Sequence, residues 1–324
     1  MALLRHMGIH QYGIGLWPAL RAYRTFIRPV LEFGMAIAAV NQTQLQVLER
    51  AHNGCIKMCQ NRSASRPSPW IAAMALADLP SARVRLRTLQ LKFVVRLSSL
   101  PVTTLARCVE LTFLRRVHPD KQWVSMAQTN PLHKEIKCLR LADMEEDRAV
   151  EAAINKGRDD ELKQRKKDRK SVRVLRHYRL IDPILYLPAF SRDRHRLINW
   201  RRFWLPPYDN TPTSCRCGAT EVERDHYETC SLVSVQLQEL RDEFGVSLAT
   251  DEDHHPIDII LNALPRNEAA LRMGKWVKVW PALIRVLRAI DHACHPEDNT
   301  TSEEPPPEEV WSLDSMLLSQ PPSS

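Results

Sequence analysis

The chain has 324 residues, of which 44% are hydrophobic and 26% charged, with a net charge of +8. That length suffices for two or three domains and a real core, and only nine glycines argue against a sheet-rich fold with many tight turns. Eight cysteines in so long a chain do not make a disulfide scaffold, and no apolar run approaches the roughly 20 residues of a membrane span.

Arg5 and His6 stand where a signal peptide needs its apolar core, so the expected setting is reducing and intracellular, nuclear or cytoplasmic. The abundance of Leu, Ala, Arg, Gln and Glu predicts a mainly α fold. Residues 1–105 read as helical and apolar, interrupted at Pro18, Pro29, Pro67, Pro69, Pro80 and Pro101. Leu45, Leu48, Ala51, Cys55 and Cys59 recur at threes and fours, one face of a helix. On that face the two thiols read as buried small hydrophobes rather than ligands. Ser81, just after Pro80, is the expected N-cap of a buried helix carrying Val84, Leu86, Leu89, Leu91, Phe93 and Val94.

Residues 106–188 read as a charged helical linker. Between Lys163 and Arg179 lie nine Lys or Arg and one acid, Asp168, which predicts an exposed basic helix or a partly ordered connection. Residues 189–245 form a small module opened by Arg192, Arg194, Arg196, Arg201 and Arg202, interleaved with Trp200, Phe203 and Trp204. The aromatics are expected to pack as core and the arginines to contact nucleic-acid phosphates. Residues 246–295 form a helical segment, with His254 and His255 in a solvated turn ahead of it. Residues 296–324 are an acidic, Pro-rich tail expected to be disordered, although Val310–Leu318 has the character of a short docking helix.

The tail holds seven acids and no Lys or Arg, so residues 1–295 carry +8 + 7 = +15. A body this basic suits a polyanionic partner, nucleic acid above all, although charge alone fits equally well a basic protein without one.

Cys215, Cys217, His226 and Cys230 follow the pattern C-x-C-x8-H-x3-C. Zinc takes four soft or borderline ligands in a tetrahedron, with two thiolates close in sequence and a second pair returning from a loop or helix. Gly218 permits the tight turn after the first pair, and a helix starting near Glu223 places His226 and Cys230 on one face. Four protein ligands close the site, so the expected cofactor is a structural Zn2+. Cys108, Cys138 and Cys294 are isolated.

Leu20–Ala38, LRAYRTFIRPVLEFGMAIA, resembles a segment that follows the palm of non-LTR (LINE-like) retrotransposon reverse transcriptases, through Tyr23, Arg24, Thr25, Phe26, Ile27, Arg28, Pro29, Leu31, Glu32, Phe33 and Gly34. LQVLERAHNGCIKM is similar to the family's next helix, with His52 where Gln is commoner. Leu79, Pro80, Ser81, Arg85, Leu89, Lys92 and Phe93 match a third stretch, and the Cys/His cluster resembles the family's C-terminal zinc knuckle. The likeness covers residues 1–105 and 195–232 well and 106–190 and 235–295 weakly. It implies a thumb or connection region joined to a zinc knuckle, binding RNA or DNA.

The catalytic palm is missing. Such polymerases need an adjacent Asp pair on a palm hairpin to hold magnesium. The one adjacent pair here, Asp159–Asp160, has helix-favouring charged neighbours. The resemblance therefore implies a nucleic-acid-binding piece without polymerase activity of its own, no membrane and no small-molecule substrate. The alternatives are an accessory part completed by another chain, a helical interaction scaffold, and a decayed transposon remnant.

Overall fold

The computed structural model describes residues 1–61, 70–105, 130–141, 145–206, 214–245, 255–294 and 304–312. These are helices joined by turns, with no strand among the described residues, as the composition predicts. No helix among them is long and apolar enough to cross a membrane.

Helix α1 (Ala2–His6) leads to α2 (Leu16–Ala22), which passes through a π-helical turn at Tyr23–Ile27 into α3 (Arg28–Glu32). Pro29 stands in the first turn of α3, directly after the π-helical turn. Helix α4 (Gln42–Cys59) opens with a capping box. The Asn41 side chain accepts from the Gln44 N–H at 2.8 Å, and the Gln44 side chain accepts from the Asn41 N–H at 2.9 Å.

The buried side of α4 is turned from the one periodicity suggests. Leu45, His52, Ile56 and Cys59 are buried, while Leu48, Ala51 and Cys55 are half-buried. His52 can face inward because its Nδ1 meets the Tyr23 hydroxyl, so neither polar group enters the core alone. Burial holds the His52 pKa down to about 4 and pushes the Cys59 thiol up to about 12, as suits the inert packing role expected of that thiol.

Helix α5 (Trp70–Leu76) precedes α6 (Ala82–Ser98), whose N-cap is Ser81 as expected, with its Oγ 3.2 Å from the Val84 N–H. Then come α7 (Pro131–Leu141), α8 (Glu146–Asp168) and the short α9 (Lys170–Arg173). Asp159 and Asp160 lie on α8. Asp159 accepts from Arg179 Nε at 2.6 Å, and Asp160 sits 3.8 Å from the Lys163 ammonium. The remaining helices are α10 (Ser191–Arg201), α11 (Ser234–Phe244), α12 (Pro256–Ala263), α13 (Glu268–Leu271) and α14 (Trp276–Cys294).

One apolar cluster joins most of these elements. Trp17 and Leu20 of α2, Ile56 of α4, Leu76 of α5, Leu197 and Trp200 of α10, Leu240 of α11, Ile260 of α12 and Trp280 and Leu283 of α14 all belong to it. Each such aliphatic side chain contributes about 1.5–3 kcal/mol. A smaller cluster of Leu91, Leu132, Ile136, Val150 and Ala153 ties α6, α7 and α8 together. The sequence boundaries at 188/189 and 245/246 therefore fall inside a shared core. The charged linker itself delivers Val172, Leu175, Ile184 and Leu185 into that core.

Part of the acidic tail is docked. Pro307–Ser312 forms a 3₁₀ turn with Val310 buried, and Glu304 accepts from both terminal nitrogens of Arg196 at 2.8 Å each. The rest of 296–324, including Leu313–Leu318 of the docking-helix segment, lies outside the described residues, as do Cys108 and His254.

Candidate metal centre and the arginine interior

The structure brings Cys215, Cys217, His226 and Cys230 together, with their ligand atoms all within 4.8 Å of one another. Cys215 Sγ lies 3.6 Å from Cys230 Sγ, and Cys217 Sγ lies 3.4 Å from His226 Nε2. A tetrahedral ion with bonds of about 2.3 Å to sulfur sets its sulfurs about 3.8 Å apart, close to these two distances, so the cluster could hold such an ion. Cys215 and Cys230 are buried, His226 is half-buried and Cys217 is exposed, which leaves one side of the cluster open to ion entry. Burial pushes the Cys215 thiol up to about 12, whereas the Ala219 N–H beside Cys217 lowers that thiol.

Local sequence explains the arrangement. Gly218 takes φ 98°, a region that L side chains rarely adopt. Its N–H donates to the Cys215 carbonyl at 3.0 Å, and the Cys215 N–H donates to the Ala219 carbonyl at 2.9 Å, folding the first pair into a tight knuckle. The Arg216 N–H donates to the Ala293 carbonyl at 2.9 Å, which fastens the knuckle to the end of α14. The second pair departs from expectation. Residues Arg224–Glu228 form a 3₁₀ turn rather than an α-helix, and Cys230 lies beyond it, where its carbonyl accepts from the Ser234 N–H at 2.9 Å at the start of α11. The tighter turn suits Tyr227, which is buried and brings its hydroxyl to within 2.9 Å of Cys294 Sγ. Cys294, isolated in sequence, is thus packed beside the cluster.

Four of the five arginines expected to meet phosphates point inward. Arg201 is 0% exposed and Arg202 2% exposed. Arg201 donates to Asn262 at 2.8 Å and lies 3.4 Å from Asp182 and 3.7 Å from Asp258. Arg202 donates to Gln11 at 2.9 Å and Gln60 at 2.6 Å. Arg194 donates to the Ile184 and Leu187 carbonyls, and burial lowers its pKa to about 10. Arg196 is held by Asp193, Asp291 and Glu304. Arg192 alone stays exposed, 3.5 Å from Glu304. These guanidiniums organise the interior, and the phosphate-contact expectation fails for Arg194, Arg196, Arg201 and Arg202. The physical reason is partner supply, because acids, amides and backbone carbonyls pair with these guanidiniums and offset part of the cost of burying them.

The aromatics behave as expected. Trp200 and Trp204 are buried, and Phe203 lies under the Arg224 guanidinium, 4.0 Å from its ring centroid. Arg224, two residues before His226, also stacks 4.1 Å over Trp200 and donates to both oxygens of Asp258 at 2.8 and 2.7 Å. The Trp200 indole N–H completes the shell of Asp258 at 3.2 Å. His255, expected in a solvated turn, is 5% exposed. Its Nδ1 accepts from the Ile257 N–H at 3.2 Å to cap α12, and its ring packs edge-on against Trp200 at 4.8 Å. Burial, with Arg224 next, holds its pKa down to about 3.

Three of the four stretches that carry the family resemblance contact one another. Tyr23 contacts His52, and Glu32 accepts from Arg85 Nε at 2.7 Å while lying 3.2 Å from Arg28. No protein-family model, curated protein or solved structure matches the chain.

Proposed function

We propose that this chain is a zinc-stabilised, helical nucleic-acid-binding module without polymerase activity of its own, akin to the thumb and knuckle region of a non-LTR reverse transcriptase. The observation that carries the reading is the Cys3His cluster, with four donors within 4.8 Å on a tight knuckle. Thiolate and imidazole donors in that number favour zinc over magnesium or calcium, and four protein ligands leave no position for a reacting water. The ion would join the knuckle, the 3₁₀ turn and α11, so its binding energy would become folding energy.

The surplus charge of residues 1–295 supports a polyanionic partner. The meeting of Tyr23, His52, Glu32 and Arg85 supports the family reading, since residues of three resembling segments hold one another in place. Asp159 and Asp160 on α8, each beside a cation, support a non-catalytic role.

Elemental analysis of the purified chain tests the metal. About one zinc per chain, lost in Cys215→Ser/Cys230→Ser, is the expected result; none in freshly reduced wild type overturns the knuckle. Fluorescence anisotropy with labelled RNA and DNA tests the partner, and the expected affinity falls steeply with salt.

One observation favours a second reading, a piece covered by another chain. Phe26, Val30, Phe33 and Ile37 form an exposed apolar row around α3, with Phe33 92% exposed. A monodisperse monomer with no partner recovered by proximity labelling would remove that reading.

A further inference from the structure

With the arginines of α10 turned inward, the cations that face solvent gather elsewhere. Helix α8 ends at Asp168, the backbone extends at Arg169, and α9 follows at once. The chain then runs back along α8: the Lys166 ammonium donates to the Leu175 carbonyl at 2.6 Å, and Arg179 reaches Asp159 about two turns further up. This reversal collects Lys167, Arg169, Lys170 and Arg173 around the turn from α8 into α9, and all four are exposed.

Among the described residues none of the four has a carboxylate within 4 Å, and the nearby acids are engaged otherwise. Asp160 faces Lys163, Glu161 binds Arg165, Asp159 binds Arg179, and Asp168 accepts from Gln164. Elsewhere arginines find acids, as Arg158 does with Asp78 and Arg288 with Asp193. Five residues past Arg173, Tyr178 is half exposed, with the Arg266 guanidinium 5.2 Å over its ring and the Arg176 guanidinium donating to its hydroxyl at 3.5 Å.

The bland reading is a solvated helix end whose cations answer the terminal carbonyls. It accounts for Lys167 in the last turn of α8 and for Lys170 and Arg173 in the short α9, and leaves Arg169 and the partly exposed aromatic unexplained. Unneutralised cations and, five residues on, an accessible aromatic ring suit a strand of alternating phosphates and bases, since the cations release counterions and the ring stacks. A lipid surface fits less well, because it needs an apolar face to insert. Tyr178 is the one large apolar side chain that is exposed among the described residues of 130–206.

We propose that the turn from α8 into α9, with Lys167, Arg169, Lys170 and Arg173, is a binding surface for the phosphodiester backbone of a nucleic-acid strand, and that Tyr178 beside Arg266 stacks an unpaired base. This rests on the nucleic-acid reading above and gives it a location.

The test uses the full-length, metal-loaded chain and a fluorescein-labelled single-stranded 30-mer, with anisotropy measured across a salt series. Lys167→Gln/Arg169→Gln/Lys170→Gln/Arg173→Gln is compared with Arg21→Gln/Arg50→Gln/Lys92→Gln/Lys134→Gln, which removes the same charge from exposed sites on α2, α4, α6 and α7. Four lost phosphate contacts should flatten the log–log salt slope by about 3, while the control keeps the wild-type slope within about 1. Tyr178→Ala should weaken single-strand binding at least about fivefold. Equal losses in the two quadruple variants, an unchanged slope in the first, or a Tyr178→Ala affinity within twofold of wild type would overturn the location and leave the nucleic-acid reading standing. No wild-type binding to RNA or DNA would overturn both. Binding to anionic vesicles alone, lost in the first variant, would reassign the surface to lipid and overturn the proposal. Unchanged thermal melting and zinc content show that each variant is folded.

Discussion

Asp258 is the carboxylate on which the buried guanidiniums converge, and its replacement gives a sharp test of the interior. It is 0% exposed and accepts from Arg224 through both oxygens and from the Trp200 indole, with Arg201 at 3.7 Å. Asp258→Asn keeps the shape and removes the charge. Arg201 retains Asp182 at 3.4 Å, but Arg224, buried between Trp200 and Phe203, loses its counter-ion. Removing one partner of such a pair costs about 3–5 kcal/mol, because the remaining charge stays desolvated. For 324 residues the unfolding entropy is about 0.7 kcal/mol/K, so the melting temperature should drop about 4–7 °C. Urea denaturation should give the same loss at unchanged m-value. Asp160→Asn, on an exposed carboxylate, should stay within about 0.5 kcal/mol of wild type. Adding Arg224→Met to Asp258→Asn should recover part of the loss, since the orphaned charge then goes too. If Asp258→Asn alone melts within 1 °C of wild type, the network does not hold the interior as argued.

Three further outcomes are expected. His255 is neutral in the fold with its pKa held down to about 3, whereas the unfolded chain takes up its proton near pH 6.5. The folded state therefore binds fewer protons between those values, and stability falls as pH drops through that window. His255→Asn, which keeps an N-cap oxygen, should escape the loss, so the stability gap between it and wild type narrows by about 2 kcal/mol from pH 8 to pH 5; a gap constant with pH would refute the assignment. Glu304→Gln should cost about 1.5–3 kcal/mol in urea denaturation by weakening the bonds to Arg196 and Arg288, and an unaltered midpoint would mean that the docked tail contributes nothing. With metal removed by chelator, Cys217 should be alkylated first and Cys59 only after unfolding, and added zinc should protect Cys217; mass spectrometry of the labelled thiols reads the order.

What was legible in the sequence was local. The four ligands lie within sixteen residues, so spacing alone brings them near one another, and Gly218 marks the turn by its chemistry. The Ser81 cap is a three-residue relation and was equally readable. Arg201 and Arg202 were misread because a guanidinium's place is set by whatever meets it. Their partners, Gln11, Gln60, Asp182, Asp258 and Asn262, lie up to 191 residues away, and no local pattern announces them. His255 was misplaced for the same reason, since the hydrophilic run before it hid a capping role fixed by packing on Trp200.

These long-range partners also bear on how the metal cluster is built into the molecule. Arg224 leads the 3₁₀ turn that carries His226, and it is clamped to Asp258 of α12 and stacked on Trp200 of α10. Arg216, between the first two cysteines, is bonded through its backbone to Ala293 of α14. Both halves of the ligand set are thus fixed to helices of the main core, and a knuckle attached at two points shares its stability with its support. Loss of the metal should consequently loosen α10, α12 and the end of α14 as well as the knuckle, and hydrogen exchange on the chelated protein should show protection falling in all of them together. Exchange confined to residues 214–230 would instead make the cluster an appendage, and would separate its metal chemistry from the stability of the core.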